Sequence, residues 1–217
     1  MDFNQLFQTI IFIALKGVSN TFLLSFGAFS LGLGLGSLLA FMQVLIGGFA
    51  SKLIDFVTRV LRSIPPILML FIVFYGFRIN NVVAAIIGLG IISSAYQSQI
   101  LRGVAEAVAA RQLDAALSIG LDLWGSFRSV ILPQVVLLSI PALLNEFTTI
   151  LKDSSIAYAI GVVEMFTTAI NLANARMEYA IPLVSVSILY IVICFGISYA
   201  ASLIHRKISL LGYGESM

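Results

Sequence analysis

The chain has 217 residues, 60% of them hydrophobic and only 10% charged, with a formal net charge of +2 and a mean hydropathy of +1.07. A water-soluble domain needs about 25% charged residues to cover its surface, so this composition excludes an ordinary soluble globule and points to a polytopic membrane protein. A single cysteine (Cys194) and a single histidine (His205) exclude an intrachain disulfide and a His/Cys metal cluster.

Five charge-free windows mark the expected crossings: Val18 to Ile46, Ser63 to Phe77, Ile79 to Leu101, Ser129 to Asn145, and Tyr179 to His205. Before the first, Ile10 to Leu15 is too short and lacks the basic leader of a cleavable signal, so the residues through Lys16 read as an interfacial helix leading into the first crossing. The first span, 18–46, contains GLGLG, but no Lys-Ser or Lys-Thr follows it. Gly32 and Gly36 instead form a GxxxG pair that lets helices approach closely in lipid. The second span, 59–78, is lengthened at its ends by the snorkelling stems of Arg62 and Arg78. Within it Pro65 and Pro66 lack helical donors and push Ile64 to extended backbone, so the helix proper starts there.

The third span is 79–101, the fourth is 129–151 with Glu146 tolerated inside it, and the fifth is 179–205 with Cys194 as a packing residue and His205 at its interfacial end. The predicted fold is all-α, a single membrane domain over 1–217 with about five transmembrane helices and a hairpin at 102–128. An odd number of spans separates the termini. With the C-terminus inside, Lys52, Arg59, Arg62, Arg102, Arg111, Arg128, Arg206 and Lys207 lie on the cytoplasmic side, against only Lys16, Arg78, Lys152 and Arg176 elsewhere. The N-terminus is therefore expected outside and the hairpin in the cytoplasm.

In the hairpin, Leu113, Ala116, Leu117 and Gly120 recur at i, i+3, i+4 and i+7 as one apolar stripe, while Arg111, Asp114 and Ser118 share another face. Gly120 suits a helix terminator, and Asp122 suits the cap of a new helix from Leu123. Two readings fit the pattern: docking into a groove on a soluble partner, or anchoring along the membrane surface.

The fourth span ends in a crowd of polar residues: Asn145, Glu146, Thr149, Lys152, Asp153, Ser154 and Ser155. Asn145 and Thr149 share a helix face with Lys152 or Asp153, and Glu146 with Thr149 and Asp153 can meet a common cavity. Carboxylates there suit the ammonium or guanidinium of a passing solute. Equally, Glu146, Lys152 and Asp153 can neutralise one another. Ser94, Tyr96 and Gln97 on the third span are further lining candidates.

DAALSIGLDLWGSFRSVILP, Asp114 to Pro133, resembles the EAA motif of permease subunits of ABC importers. Asp114, Ala115, Ala116, Gly120, Val130, Leu132 and Pro133 fall at its spacing, with aspartate for the usual glutamate and valine for isoleucine. The runs GVSNTFLLSFGAFSLGLGLG, RSIPPILMLFIVFYG, SSAYQSQILRGV and NEFTTILKDSSIAYAIGVVEMF resemble successive signatures of the polar amino-acid permeases, histidine/glutamine type. Gln99 departs from the glutamate often found before I-x-R-G.

The resemblance implies that 102–128 is the coupling helix seated in a cleft of an ATPase dimer. Leu113, Leu117 and Leu121 would form its apolar side, Asp114 would face a basic group, and Gly120 would allow close approach. It implies no enzyme activity and no cofactor in this chain, with ATP and Mg held by the partner ATPase. A second permease copy or paralogue, an extracytoplasmic amino-acid-binding protein, a polar amino acid and the lipid bilayer are the other expected partners, with no nucleic acid, in the cell (inner) membrane. Glu164, Arg176 and Glu178 are expected in the outer loop region facing the binding protein. Two alternatives stay open on the residues alone: an ion-coupled carrier or channel using Glu146 or Asp153 as a proton site, and a structural membrane subunit.

Overall fold

Without a charge or a proline between Val18 and Ile46, nothing in the sequence stops a helix there, and in the computed structural model, which describes residues 3–208, it starts even earlier. Helix α1, Phe3–Ile46, is one element of 44 residues, about 66 Å long at 1.5 Å per residue. The segment through Lys16 is thus not a separate interfacial helix. Gly17 does not break it, because a Cβ there would lie only 2.5 Å from the Met165 Cα; the glycine serves close packing. Ile13 is buried with Met165, Ala169 and Val186, which holds the first turns of α1 against the rest of the chain.

α1 ends at two glycines with positive φ, Gly47 at 61° and Gly48 at 57°. Helix α2, Gly48–Ser63, follows, and then Ile64 is extended (φ −79°, ψ 123°) before Pro65. Helix α3, Pro66–Phe77, leaves at 96° to α2. The segment 59–78 is therefore not one straight helix: its first residues belong to α2, for the steric reason the two prolines supply. Asn80 caps helix α4, Asn81–Ser118, by accepting from the Val82 N–H at 2.9 Å. At 38 residues and about 57 Å, α4 runs unbroken through the third window and into the charged segment.

The short α5, Leu123–Ser126, leads through a π-helical turn, Phe127–Ile131, into α6, Leu132–Asp153. A 3-10 stretch, Ser154–Ile160, then precedes α7, Met165–Arg176, and α8, Ala180–Ile208. Among the described residues, α1, α4, the run from Leu123 to Ile160 and α8 are each long and apolar enough to cross a membrane, and the bent α2–α3 pair reaches that length only with its two helices taken together.

The core lies where α1, α3 and α4 meet, with Leu24, Ala28, Leu70, Ala84, Ala85 and Leu89 buried together. Glycines set the α1–α4 spacing: a Cβ on Gly32 would come 2.8 Å from Gln97 Nε2, and one on Gly36 2.8 Å from the Ser94 carbonyl oxygen. Backbone cannot give way as a side chain can. Gly36→Val is expected to lower the thermal midpoint of the detergent-solubilised protein by overpacking, at about 1–3 kcal/mol. Gly34→Ala, with no atom within 4 Å of the new methyl, is the control that leaves it unchanged.

Candidate functional site

Two regions of the chain carry the polar and exposed residues that packing alone does not require. The first is the apex where α4 ends. Gly120 takes φ 89°, its N–H donates to the Leu117 carbonyl at 3.0 Å, and the Leu121 N–H donates to the Ala116 carbonyl at 3.2 Å. This is the Schellman pattern, which satisfies the last carbonyls of the helix and needs glycine at the left-handed position. Asp122 then caps α5, its Oδ1 accepting from the Gly125 N–H at 2.9 Å. The helix, turn and second helix expected from the sequence are all present.

Leu117, Ile119, Leu123 and Trp124 are exposed at this apex, Ile119 by 78%. Asp114 and Ala115 are exposed beside them, and Asp114 makes no ion pair among the described residues. Leu113 differs from expectation: it packs inward against Val108, Ile131 and Val135, with Ala116 buried nearby. Leu121 is half-buried. The exposed apolar surface is thus formed by Leu117 with Ile119 and Leu123, which helical periodicity missed because the turn at Gly120 redirects the chain after Ile119.

The second region is the outer half of α6 and its neighbours. Glu146 points into the chain, where Ser93 Oγ donates to its Oε1 at 2.9 Å. Gln97 Nε2 in turn donates to Ser93 Oγ at 2.9 Å and to the Phe29 carbonyl at 3.1 Å, so one buried polar chain ties α1, α4 and α6. Ser94 and Ser154 are buried too, their hydroxyls donating to the Ile91 and Leu151 carbonyls of their own turns at 2.6 and 2.8 Å.

Asn145, Thr149 and Lys152 instead form an exposed stripe at i, i+4 and i+7 on the adjoining side of α6. Asp153 is half-buried next to it. Lys152 borders an opening of about 240 Å³ shared with Ser155, Ser187 and Tyr190 of α8. The structure therefore brings Asn145 and Thr149 together on the exposed side, while Glu146 beside them turns inward to Ser93.

Glu164 is the functional-looking residue whose setting the sequence concealed. It is fully buried (0% exposed) and accepts from the Phe166 N–H at 2.8 Å, the Thr167 N–H at 2.6 Å and the Tyr190 hydroxyl at 2.9 Å. Thr21 Oγ1 donates to it at 3.5 Å. An outer-surface role for Glu164 is excluded by this burial; it caps α7 and joins α7 to α1 and α8. Arg176 and Glu178 also bond within the chain, to Thr9 at 3.3 Å and Gln5 at 3.1 Å. Near Gln99, Arg102 finds its carboxylates in Asp55 at 3.3 Å and Glu106 at 2.7 Å. Among the described residues no group of three or more His, Cys, Asp or Glu is arranged to hold a metal ion.

A profile of the family described as "Binding-protein-dependent transport system inner membrane component" matches residues 32–210. The probable amino-acid permease protein YxeN of Bacillus subtilis (strain 168) is 33% identical over 156 residues, covering 68% of this chain and 70% of that one. The arginine transport system permease protein ArtQ of the same organism is 29% identical over 214 residues, covering 96% of this chain and 97% of its own. Among solved structures, a chain of an amino acid ABC transporter crystallised with histidines aligns with a TM-score of 0.86 at 28% identity, covering 95% of this chain and 99% of that chain. A chain of the MetNI methionine ABC transporter in an inward-facing conformation aligns at 0.78 with 17% identity, over 90% of this chain and 96% of its own, a likeness of fold.

Removing the Glu164 carboxylate leaves an uncapped helix and buried hydroxyls without an acceptor. Glu164→Ala is expected to cost roughly 2–4 kcal/mol in a thermal or denaturant melt, whereas Thr149→Ala on the exposed stripe changes stability by less than about 0.5 kcal/mol.

Proposed function

This chain belongs to the family of binding-protein-dependent transport system inner membrane components, and from that premise we propose that it is the permease subunit of an ATP-driven importer of polar amino acids. Two such permeases enclose the path, a separate ATPase pair drives it, and an extracytoplasmic binding protein delivers the solute. ATP and Mg belong to the ATPase; this chain supplies the moving walls.

The observation that carries the reading is the exposed apolar apex at the end of α4. A helix of about 57 Å outruns a hydrocarbon core of about 30 Å, so its tip stands well clear of the bilayer. At that distance from the bilayer lipid does not cover Leu117, Ile119 and Leu123, while a groove on a soluble partner can. Leu113, Ala116 and Leu121 shape the apex from beneath, Ala115 is exposed on it, Gly120 turns it, and Asp114, without an ion pair among the described residues, presents its carboxylate to a basic group of the ATPase. With the N-terminus outside and the C-terminus inside, this apex faces the cytoplasm of the cell that holds the chain in its inner membrane.

Alternating access follows when nucleotide binding favours one arrangement of the permease pair, with α4 carrying the displacement as a rigid rod. The solute path runs past the exposed stripe of Asn145 and Thr149, with Asp153 at its edge, where these groups replace part of the water lost by a zwitterion. Glu146, Ser94, Gln97 and Ser154 stand behind the stripe and fix the wall that presents it.

In the complex purified from its own membranes, Leu117→Glu plus Ile119→Glu is expected to abolish ATPase co-purification and lower energised uptake more than tenfold. Asn145→Ala should keep the ATPase bound while raising the KM for the solute by roughly tenfold or less. Uptake that survives the apex variant undiminished would sink the ATP-driven reading and favour an ion-driven carrier.

A further inference from the structure

Helix α2 is joined to α1 by two glycines of positive φ and meets α3 at 96°, so it lies across the end of α1 and the start of α3 instead of continuing either. It packs on α1 and α4, and the Asp55–Arg102 contact at 3.3 Å sets it beside the part of α4 that leads to the apex. At about 100° per residue its sixteen residues sort into four sides. Thr58, buried, faces the protein. Opposite it, Phe49, Leu53, Phe56 and Val60 fall within an arc of about 60° and are exposed, Phe49 by 82% and Phe56 by 64%. One flank is apolar, with Ala50, Ile54, Val57 and Leu61; the other is charged, with Lys52, Asp55, Arg59 and Arg62.

A helix with a water-seeking flank, a hydrocarbon-seeking flank opposite it and aromatic residues between them fits the headgroup layer, lying in the plane of the membrane. Its charged flank is not self-neutralised. Both carboxylate oxygens of Asp55 are engaged, Oδ2 by Arg59 Nε at 2.8 Å and Oδ1 by Arg102 Nη1 at 3.3 Å. Arg102 is shared with Glu106 at 2.7 Å, so the local pairs use up the acids while Lys52 and Arg62 make no ion pair among the described residues. Lys52 is exposed and stands two turns from Arg59, whose side chain is itself 67% exposed. Next to them a notch of about 220 Å³ is lined by Asp55, Arg59, Gln99, Arg102 and Glu106, and Gln99 brings no negative charge to it.

We propose that α2 is an in-plane helix of the leaflet on the apex side, and that Arg59, which lines the notch beside Arg102, and Lys52, exposed on the same charged flank, hold the phosphate of an anionic phospholipid. The geometry fits that occupant: excess positive charge meets a leaflet of negative phosphates, and the neighbouring aromatic face meets the acyl chains. Arg102 belongs to α4, so the same ion pairs connect the lipid-bound helix to the rod that ends at the apex. The proposal goes beyond the transport reading and stands without it.

The test uses the full transporter complex, equilibrated in mixed micelles with equal amounts of phosphatidylglycerol and phosphatidylcholine, with retained lipids counted by native mass spectrometry. Wild type is expected to retain phosphatidylglycerol preferentially, and Lys52→Gln plus Arg59→Gln to lose that retention on the order of tenfold with phosphatidylcholine unchanged. Equal retention by the two proteins overturns the site. A milder variant checks the disposition of α2: a nitroxide at Phe56→Cys in a Cys194→Ser background, read in bilayers by collision with oxygen and with a water-soluble nickel chelate. Accessibility to oxygen but not to nickel is expected; protection from both would mean that a second copy covers this face, and high nickel accessibility that it lies in water, and either result overturns the proposal.

Discussion

The unbroken course of α4 is the constraint on which the rest of the molecule depends. Its 38 residues include no proline, and its four membrane-level and apex-level neighbours, α1, α3, α6 and α2, all pack against it. Ser93, Ser94, Gln97 and Ser98 along it are buried on the protein side, and the small residues, Gly88 and Gly90, let Leu70 of α3 and Leu31 of α1 approach its backbone. A helix so encased moves as a body. In the proposed mechanism a push on the Leu117–Ile119 end of α4 therefore acts on Ser93 and Gln97 farther along the same helix.

Burying polar groups in such a place is costly unless each finds a partner, and the chain satisfies that demand selectively. Ser93 of α4 donates to Glu146 of α6, and Gln97 donates to Ser93 and to the Phe29 carbonyl of α1, with Gln97 Oε1 left without a hydrogen-bond partner among the described residues. Glu164 gathers two backbone donors and the Tyr190 hydroxyl where α7 begins. These are internal ties that define a single packing. Asn145, Thr149 and Lys152 are treated differently: they lie on the adjoining side of the same helix and are exposed. The contrast across α6 is what distinguishes a wall of the proposed path from the structure that supports it.

Features set by local chemistry were legible in the sequence. The apolar windows, the break at Pro65 and Pro66, the Gly120 terminator and the Asp122 cap each depend on residues within a few positions of one another. The GxxxG pair was legible as a packing device, although its partner, the Ser94 to Ser98 segment of α4, was not. What stayed hidden depends on long-range contacts. The first turns of α1 look like an interfacial helix until Met165 and Val186 are seen against Ile13. Leu113 and Leu117 share a stripe, but packing against Ile131 and Val135 half-buries the first and leaves the second exposed. Glu164 reads as a loop acid because its partners Thr21 and Tyr190 are 143 and 26 residues away.

The most direct measurement is of transport after the rod itself is softened between the membrane and the apex. Ala110 is exposed and mid-helix, so Ala110→Pro removes a backbone hydrogen bond and bends α4 without disturbing the apex or the membrane core. In proteoliposomes holding the complete complex, the account requires that the ATPase stay bound and hydrolyse ATP while solute uptake and its stimulation of hydrolysis are lost. Uptake at the wild-type rate through a bent α4 would contradict it.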